Sequence, residues 1–276
     1  GSEPDTDGSV SRSEGSAANP GEVSIALSDS QITVDGTEVP ETGDGPVVLS
    51  HDIIFYEDRD TYDSGNSYGE GNGEERHSAE EAAGHTVVTI TRPGIYRLSG
   101  TLSRGQIFVD LGENARNDPE AVVTLVLDGA DITCTVAPAV FFYRVYECDR
   151  AWVDSDGGEA EDYTPSAEQD TSAAGANVVI ADGSTNNITG SHVAKIYKDN
   201  GEEKKLHKYD GAFYSRMSMN LTGEAESTGV LNITADNEGL DSELHLTVNG
   251  GRIHIRSQDD GINTNEDGVS VTTING

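Results

Sequence analysis

Ten residues concentrate the side chains best suited to chemistry: Asp259-Asp260-Gly261-Ile262-Asn263-Thr264-Asn265-Glu266-Asp267-Gly268. Asp259, Asp260, Glu266 and Asp267 supply carboxylates, Asn263 and Asn265 supply amide carbonyls, and Gly261 and Gly268 let the backbone turn. Ca2+ takes about six to eight hard oxygens in flexible geometry, so this donor set suits calcium. The spacing is not that of an EF-hand loop. A solvated acidic corner, with Asn263 and Asn265 as turn residues, is the alternative.

The same pattern occurs upstream. Glu238-Gly239-Leu240-Asp241-Ser242 returns as Asp260-Gly261-Ile262-Asn263-Thr264, a step of 22 residues from Gly239 to Gly261. If that step lays two strands side by side, Glu238 and Asp241 sit about 4.8 Å from Asp260 and Asn263. Carboxylates that close repel unless a cation lies between them or one is protonated. The candidate metal ligands are therefore Glu238, Asp241, Asp259, Asp260, Asn263, Asn265, Glu266 and Asp267.

A second set is Arg252-Ile253-His254-Ile255-Arg256. Strand alternation turns Ile253 and Ile255 inward and sends Arg252, His254 and Arg256 out along one face. Arg forks suit uronate carboxylates. The alternative is a solvated strand whose cations pair with neighbouring acids. Trp152, the only tryptophan, lies beside an acidic stretch and is a candidate sugar platform, as are several of the ten tyrosines. A partly buried packing role is the alternative for Trp152.

Elements must position these groups. A weaker copy of the repeat is Asp210-Gly211-Ala212-Phe213-Tyr214-Ser215. A period in the twenties with short alternating strands and acid-Gly corners is a solenoid signature. A path of 22 residues is roughly 70 Å long, enough for one three-sided turn. The expected domains are a polar, disordered tether over 1–22, a strand-rich N-terminal region with a polar loop and cap over 23–84, and a β-helix over 85–276. Within 23–84, Asp35-Gly36 marks a hairpin turn, 53–56 reads as a strand, and Ser78 with Glu81 has the capping-box spacing of a short helix ending at Gly84. Insertions are expected near 154–174 and 195–208, and insertions in solenoids collect on the binding face.

Acids outnumber bases 50 to 17, for a net charge of −33, and aromatics make up 6%. So acidic a chain argues against nucleic acid and anionic membrane surfaces, and fits divalent cations or simple solubility. No run is apolar and long enough for a transmembrane segment. Cys134 and Cys148 lie in consecutive strand-like segments with no zinc spacing, so a bridge between them stays open. Gly1-Ser2 reads as a cloning remnant that replaces a removed leader.

Several ordered motifs carry a family likeness: GIYRLSGTLSRGQIFVDLG, VVTLVLDGADITC followed by APAVFFY, NVVIADGSTNNITG, KYDGAFYSRMSMNLTG, GLDSELHLTVNGGRIHI and DDGIN. Together, over roughly 86–276, they resemble a bacterial extracellular β-helix family of carbohydrate-binding domains first described for cellulose and polygalacturonate binding. The resemblance implies an all-β, right-handed parallel β-helix shaped like pectate lyases, calcium at rung corners, and secretion or lipid anchoring at the cell surface. The last motif stops within a repeat, so a C-terminally truncated chain is expected, with an open rung able to self-associate end to end. The expected function is calcium-dependent binding of an acidic or plant-type polysaccharide. One alternative is a calcium-dependent lyase with Arg252, Arg256 or Arg216 as base. Another is a surface adhesin acting by assembly.

Overall fold

Short runs of β-branched and aromatic residues, broken by Gly, Asp and Asn, favour strands through most of this chain. The computed structural model describes residues 21–56, 77–148, 169–193, 198–199, 203–204, 209–265 and 270–276. In chain order the strands begin with β1 (Glu22–Leu27), β2 (Thr33–Val34), β3 (Thr37–Glu38) and β4 (Val47–Ser50). The helix α1 (Ala79–Ala83) follows, then β5 (Thr86–Ile90), β6 (Gly94–Leu102), β7 (Gly105–Asp110), β8 (Val123–Thr133) and β9 (Val140–Arg144). Next come β10 (Ala176–Ile180), β11 (Thr185–Gly190), β12 (Lys198–Asp199), β13 (Glu203–Lys204), β14 (Gly211–Ser215) and β15 (Met219–Gly223). The last are β16 (Val230–Ala235), β17 (Glu238–Ser242), β18 (Leu246–Val248), β19 (Arg252–Ser257), β20 (Ile262–Thr264) and β21 (Thr272–Ile274).

The strands form a 12-stranded sheet, a 7-stranded sheet and the β12–β13 pair. The long strand β8 feeds two ladders. Its first half pairs with β10, and its second half, beyond Gly129, pairs with β11, which leads on to β16 and β19. The neighbouring strand β6 bends at Gly100, whose φ of 91° is left-handed and whose missing Cβ would lie 2.2 Å from the Leu27 carbonyl oxygen. Only glycine fits there.

The all-β expectation agrees with this structure, but the right-handed parallel β-helix with 22-residue rungs does not. The sheets are mixed and close into no solenoid. β2 and β3 join β1 antiparallel, and β4 joins β5 antiparallel. The step between partners is not fixed either. Leu240 faces Ile262, 22 residues on, but Phe213 faces Leu240, 27 on, and Val140 faces Phe213, 73 on. Connections of very different length separate the paired strands, so the 22-residue repeat is local. Residues 53–56 also form no strand, although Tyr56 is buried.

Parallel, in-register pairing stacks like residues, and the core follows from that. Val88, Ile107, Val140, Phe213, Leu240 and Ile262 occupy one register row of the 7-stranded sheet. Ile132, Ile188, Ile233 and Ile255 occupy another on the β8–β11–β16–β19 ladder. Most of these side chains are fully buried, and burying each contributes about 1.5–3 kcal/mol. One cation is also buried. Arg97 bonds Glu22 at 2.8 Å and Asp128 at 3.1 Å, with Glu224 at 3.8 Å, tying β1 to β6 and β8. Asp35 and Gly36 form the expected β2–β3 turn with φ of 49° and 81°.

The helix α1 starts as its sequence suggests, with Ser78 Oγ accepting from the Glu81 amide at 3.0 Å. Gly84 ends it in the right-handed region, at φ −72°, rather than the left-handed one. The helix is tied down through Thr135, whose hydroxyl donates to Glu81 at 2.8 Å and whose amide donates to His85 Nε2 at 3.1 Å. His85 Nε2 therefore carries no proton, and Nδ1 donates to the Glu81 carbonyl at 2.9 Å. Burial holds the His85 pKa below its usual value, so the folded ring is neutral. That contribution is complete above the unfolded histidine pKa of about 6.5 and is lost as pH falls below it. Thermal melts from about pH 7.5 to 5.5 should show a falling Tm, with a shallower slope in His85→Asn. Equal slopes in the two proteins would show that the ring carries no such coupling.

Candidate functional site

The acid-Gly corners are placed by backbone contact. At Gly211 a Cβ would lie 2.4 Å from the Phe213 carbonyl oxygen and 2.9 Å from Asp241 Cβ. At Gly239 it would lie 2.4 Å from Ile255 Cγ2 and 2.6 Å from the Gly261 carbonyl oxygen. These two glycines let β14, β17 and β20 approach so closely that the acids preceding them meet. In the β14–β17–β20 ladder, Tyr214, Asp241 and Asn263 are direct register partners.

Asp210, Glu238 and Asp241 bring carboxylate oxygens within 4.8 Å of one another, and all three are buried. Asn263 Nδ2 donates to both Glu238 oxygens, at 3.1 and 3.2 Å, and to Asn265 Oδ1 at 2.8 Å. Asn237 Nδ2 donates to Asp210 at 3.2 Å. Asp241 is 0% exposed, and among the described residues neither of its oxygens makes a hydrogen bond of good geometry, although the Glu238 carboxyl and the Asn265 side chain lie close enough to act on it. Burial first, then the adjacent Glu238 and Asp210 carboxyls, push its pKa up to about 10. Two unit charges at this separation repel by roughly 3–4 kcal/mol at an effective dielectric near 20. Burial first, then the adjacent Glu243 carboxylate, with Asp241 and Asp210 behind it, raise the pKa of the buried Tyr214 phenol, whose OH donates to Glu243 at 2.8 Å.

The donor set is all hard oxygen, with no His or Cys in the group. Buried carboxylate oxygens without a hydrogen bond of good geometry are what a divalent cation would satisfy, and oxygen-only donors favour Ca2+ over the softer transition metals. Of the metal candidates read from sequence, Glu238, Asp241, Asn263 and Asn265 come together here. Asp259 and Asp260 are exposed at the corner and do not join the carboxylate group. Glu266 and Asp267 lie outside the described residues. Asp210 completes the group but is absent from the sequence-derived set. Its signal is the weak repeat copy at 210–215.

Arg252, His254 and Arg256 are exposed along β19, with Ile253 and Ile255 between them half-buried. None of the three has an ion-pair or hydrogen-bond partner among the described residues. Pairing with neighbouring acids therefore does not account for them. Trp152 lies outside the described residues. Among the described residues, Tyr56, Tyr146, Tyr209 and Tyr214 are buried and unavailable as platforms, while Tyr62, Tyr68 and Tyr197 lie outside the described residues. Tyr143 is stacked with Phe108 at 5.1 Å, and the Arg216 guanidinium lies 4.5 Å from the Tyr143 ring centroid. Cys134 and Cys148 are both free thiols.

A family profile described as a carbohydrate-binding domain-containing protein matches residues 84–173 and 161–274. The chain belongs to this carbohydrate-binding domain family. A relative from Acetivibrio thermocellus, described in the same words, is 29% identical over 170 residues, covering 62% of this chain and 45% of its own length. The chain thus matches less than half the length of that relative. A solved structure, the polysaccharide lyase-like protein from C. thermocellum as a gadolinium derivative, aligns at 21% identity over 92% of this chain and 79% of that one, with a TM-score of 0.46.

For this carbohydrate-binding domain the acid cluster predicts an unusual response to pH in metal-free buffer. A carboxyl raised from 3.8 to about 10 stabilises fully below its unfolded pKa, and that stability is lost as pH rises toward the folded value. Asp241→Asn removes this loss. In chelator at neutral pH it should raise stability by roughly 2 kcal/mol and flatten the dependence of Tm on pH. A lower Tm in the variant under those conditions would contradict a strained, metal-free carboxyl.

Proposed function

We propose that this chain is a calcium-dependent carbohydrate-binding module for acidic, uronate-bearing polysaccharide, acting outside the cell or at its surface. The observation that carries the calcium reading is the buried Asp210–Glu238–Asp241 group, in which neither Asp241 oxygen makes a hydrogen bond of good geometry among the described residues. Asp210, Glu238 and Asp241 would hold the ion, with the Asn265 side-chain carbonyl beside them. The ion would supply the positive charge that lets all three carboxylates ionise in a buried place.

The acidic-glycan reading is supported by family membership and by the unpaired Arg252, His254 and Arg256 on a chain of net charge −33. The two features adjoin. Ile255, between His254 and Arg256, packs its Cγ2 against the backbone at Gly239, next to Glu238. β17, which carries Glu238 and Asp241, thus packs against the strand that carries the cations.

Calcium at about a hundredfold its Kd stabilises by about 2.7 kcal/mol. For a chain this long that raises Tm by roughly 5–10 °C. Differential scanning calorimetry should show the rise with Ca2+, its reversal by EGTA, and its absence in Glu238→Gln and Asp241→Asn. Calcium binding should also release protons at neutral pH, read as an enthalpy that changes with the buffer's ionisation heat. A Tm indifferent to both Ca2+ and EGTA would remove the calcium reading. In affinity electrophoresis through polygalacturonate, the wild type should be retarded, and Arg252→Glu with Arg256→Glu should run free.

A further inference from the structure

Beside β19 lies a polar face that the carbohydrate reading does not by itself locate. Register places Thr101, Asp131, Asn187, Asn232 and His254 in one row across β6, β8, β11, β16 and β19. A second row runs Thr133, Thr189, Thr234 and Arg256. Their chain neighbours Ile132, Ile188 and Ile233 are buried in the core, so the rows themselves face outward, and each member is exposed or half-exposed. At about 4.8 Å spacing, the five strands of the first row span roughly 19 Å and the four of the second roughly 14 Å.

We propose that an acidic polysaccharide docks on this face with its chain running across the strands, along the two rows. The proposal rests on the carbohydrate reading and adds the place and direction. Strand spacing is comparable to the length of one pyranose unit, so successive strands meet successive rings. Asn232 Nδ2 donates to Asn187 Oδ1 at 3.1 Å, which leaves the Asn187 amide hydrogens and the Asn232 carbonyl facing out as donor and acceptor. The Thr133, Thr189 and Thr234 hydroxyls make no side-chain hydrogen bond among the described residues. They match the hydroxyls of a hydrated sugar. At the β19 end, Arg252, His254 and Arg256 match carboxylates, and Asp131 is the sole carboxylate in the two rows. No Phe, Tyr or Trp lies in either row. Recognition therefore comes from many polar contacts of small individual value, and binding must strengthen with chain length.

The test uses the calcium-loaded chain with di-, tetra- and hexagalacturonide, the matching neutral cello-oligosaccharides, and isothermal titration calorimetry. Affinity for the galacturonides should rise at least tenfold from dimer to tetramer. It should fall at least tenfold in Asn187→Ala with Asn232→Ala, with Tm and its calcium response unchanged. Hydrogen–deuterium exchange on the wild type gives a readout that needs no variant: bound hexagalacturonide should protect 185–189, 230–235 and 252–257. Binding by the wild type with no loss in the variant and no protection of these strands overturns the docking face and leaves the carbohydrate reading standing. Preference for the neutral oligosaccharides overturns the acidic assignment. Binding of neither class overturns both the face and the reading beneath it.

Discussion

Parallel, in-register pairing sets each side chain beside its counterpart on the next strand, about 4.8 Å away. Everything else in this molecule answers to that spacing. Inside, it is an advantage: rows such as Val88–Ile107–Val140–Phe213–Leu240 pack like on like with little exposed area. Outside, it yields a ladder in which Asn232 bonds Asn187 at 3.1 Å, so one polar residue pairs with the next. For charge of one sign the same spacing is a penalty, and a chain of net charge −33 meets that penalty wherever its acids coincide.

The protein meets it in two ways. Around Arg97, Glu22 of β1, Asp128 of β8 and Glu224, just beyond β15, share one guanidinium. The fork geometry of arginine lets one cation serve several carboxylates. The cluster of Asp210, Glu238 and Asp241 is more deeply buried than the acids around Arg97. There, burial and the neighbouring carboxyls push the Asp241 pKa up to about 10, so that at neutral pH a proton on Asp241 removes one of the three charges.

How much of this could be read from the chain depends on whether a feature is local. The acid-Gly corners, the Asp35-Gly36 turn and the Ser78 cap are short-range, and each is where its residues place it. The alternation of Arg252-Ile253-His254-Ile255-Arg256 likewise predicts which side chains face out. The architecture did not follow, because a uniform 22-residue rung was extended from the one stretch that keeps it. A fixed period stepped back from Gly239 reaches Met217, whereas the residue that stacks one strand earlier in this row lies 27 back, at Ala212 beside Asp210 and Gly211. The extra residues lie in the connection between β15 and β16, over 224–229, since Met219 still pairs with Leu246, 27 on, whereas Val230 pairs with Arg252, 22 on. Asp210 was missed for the same reason. It belongs to the cluster through strand pairing and not through sequence spacing.

The glycines join the two regions of interest. Gly239 has the acid corner on one side and Ile255 of β19 on the other, with 2.4 Å between its absent Cβ and Ile255 Cγ2. No side chain can occupy that gap without moving either β17, which holds Glu238 and Asp241, or β19, which holds the exposed cations. Close-packed interiors transmit such displacements rather than absorb them. The acid cluster and the polar face are therefore joined by packing: a shift of β17, which carries Glu238 and Asp241, is felt by β19, on which Arg252, His254 and Arg256 stand.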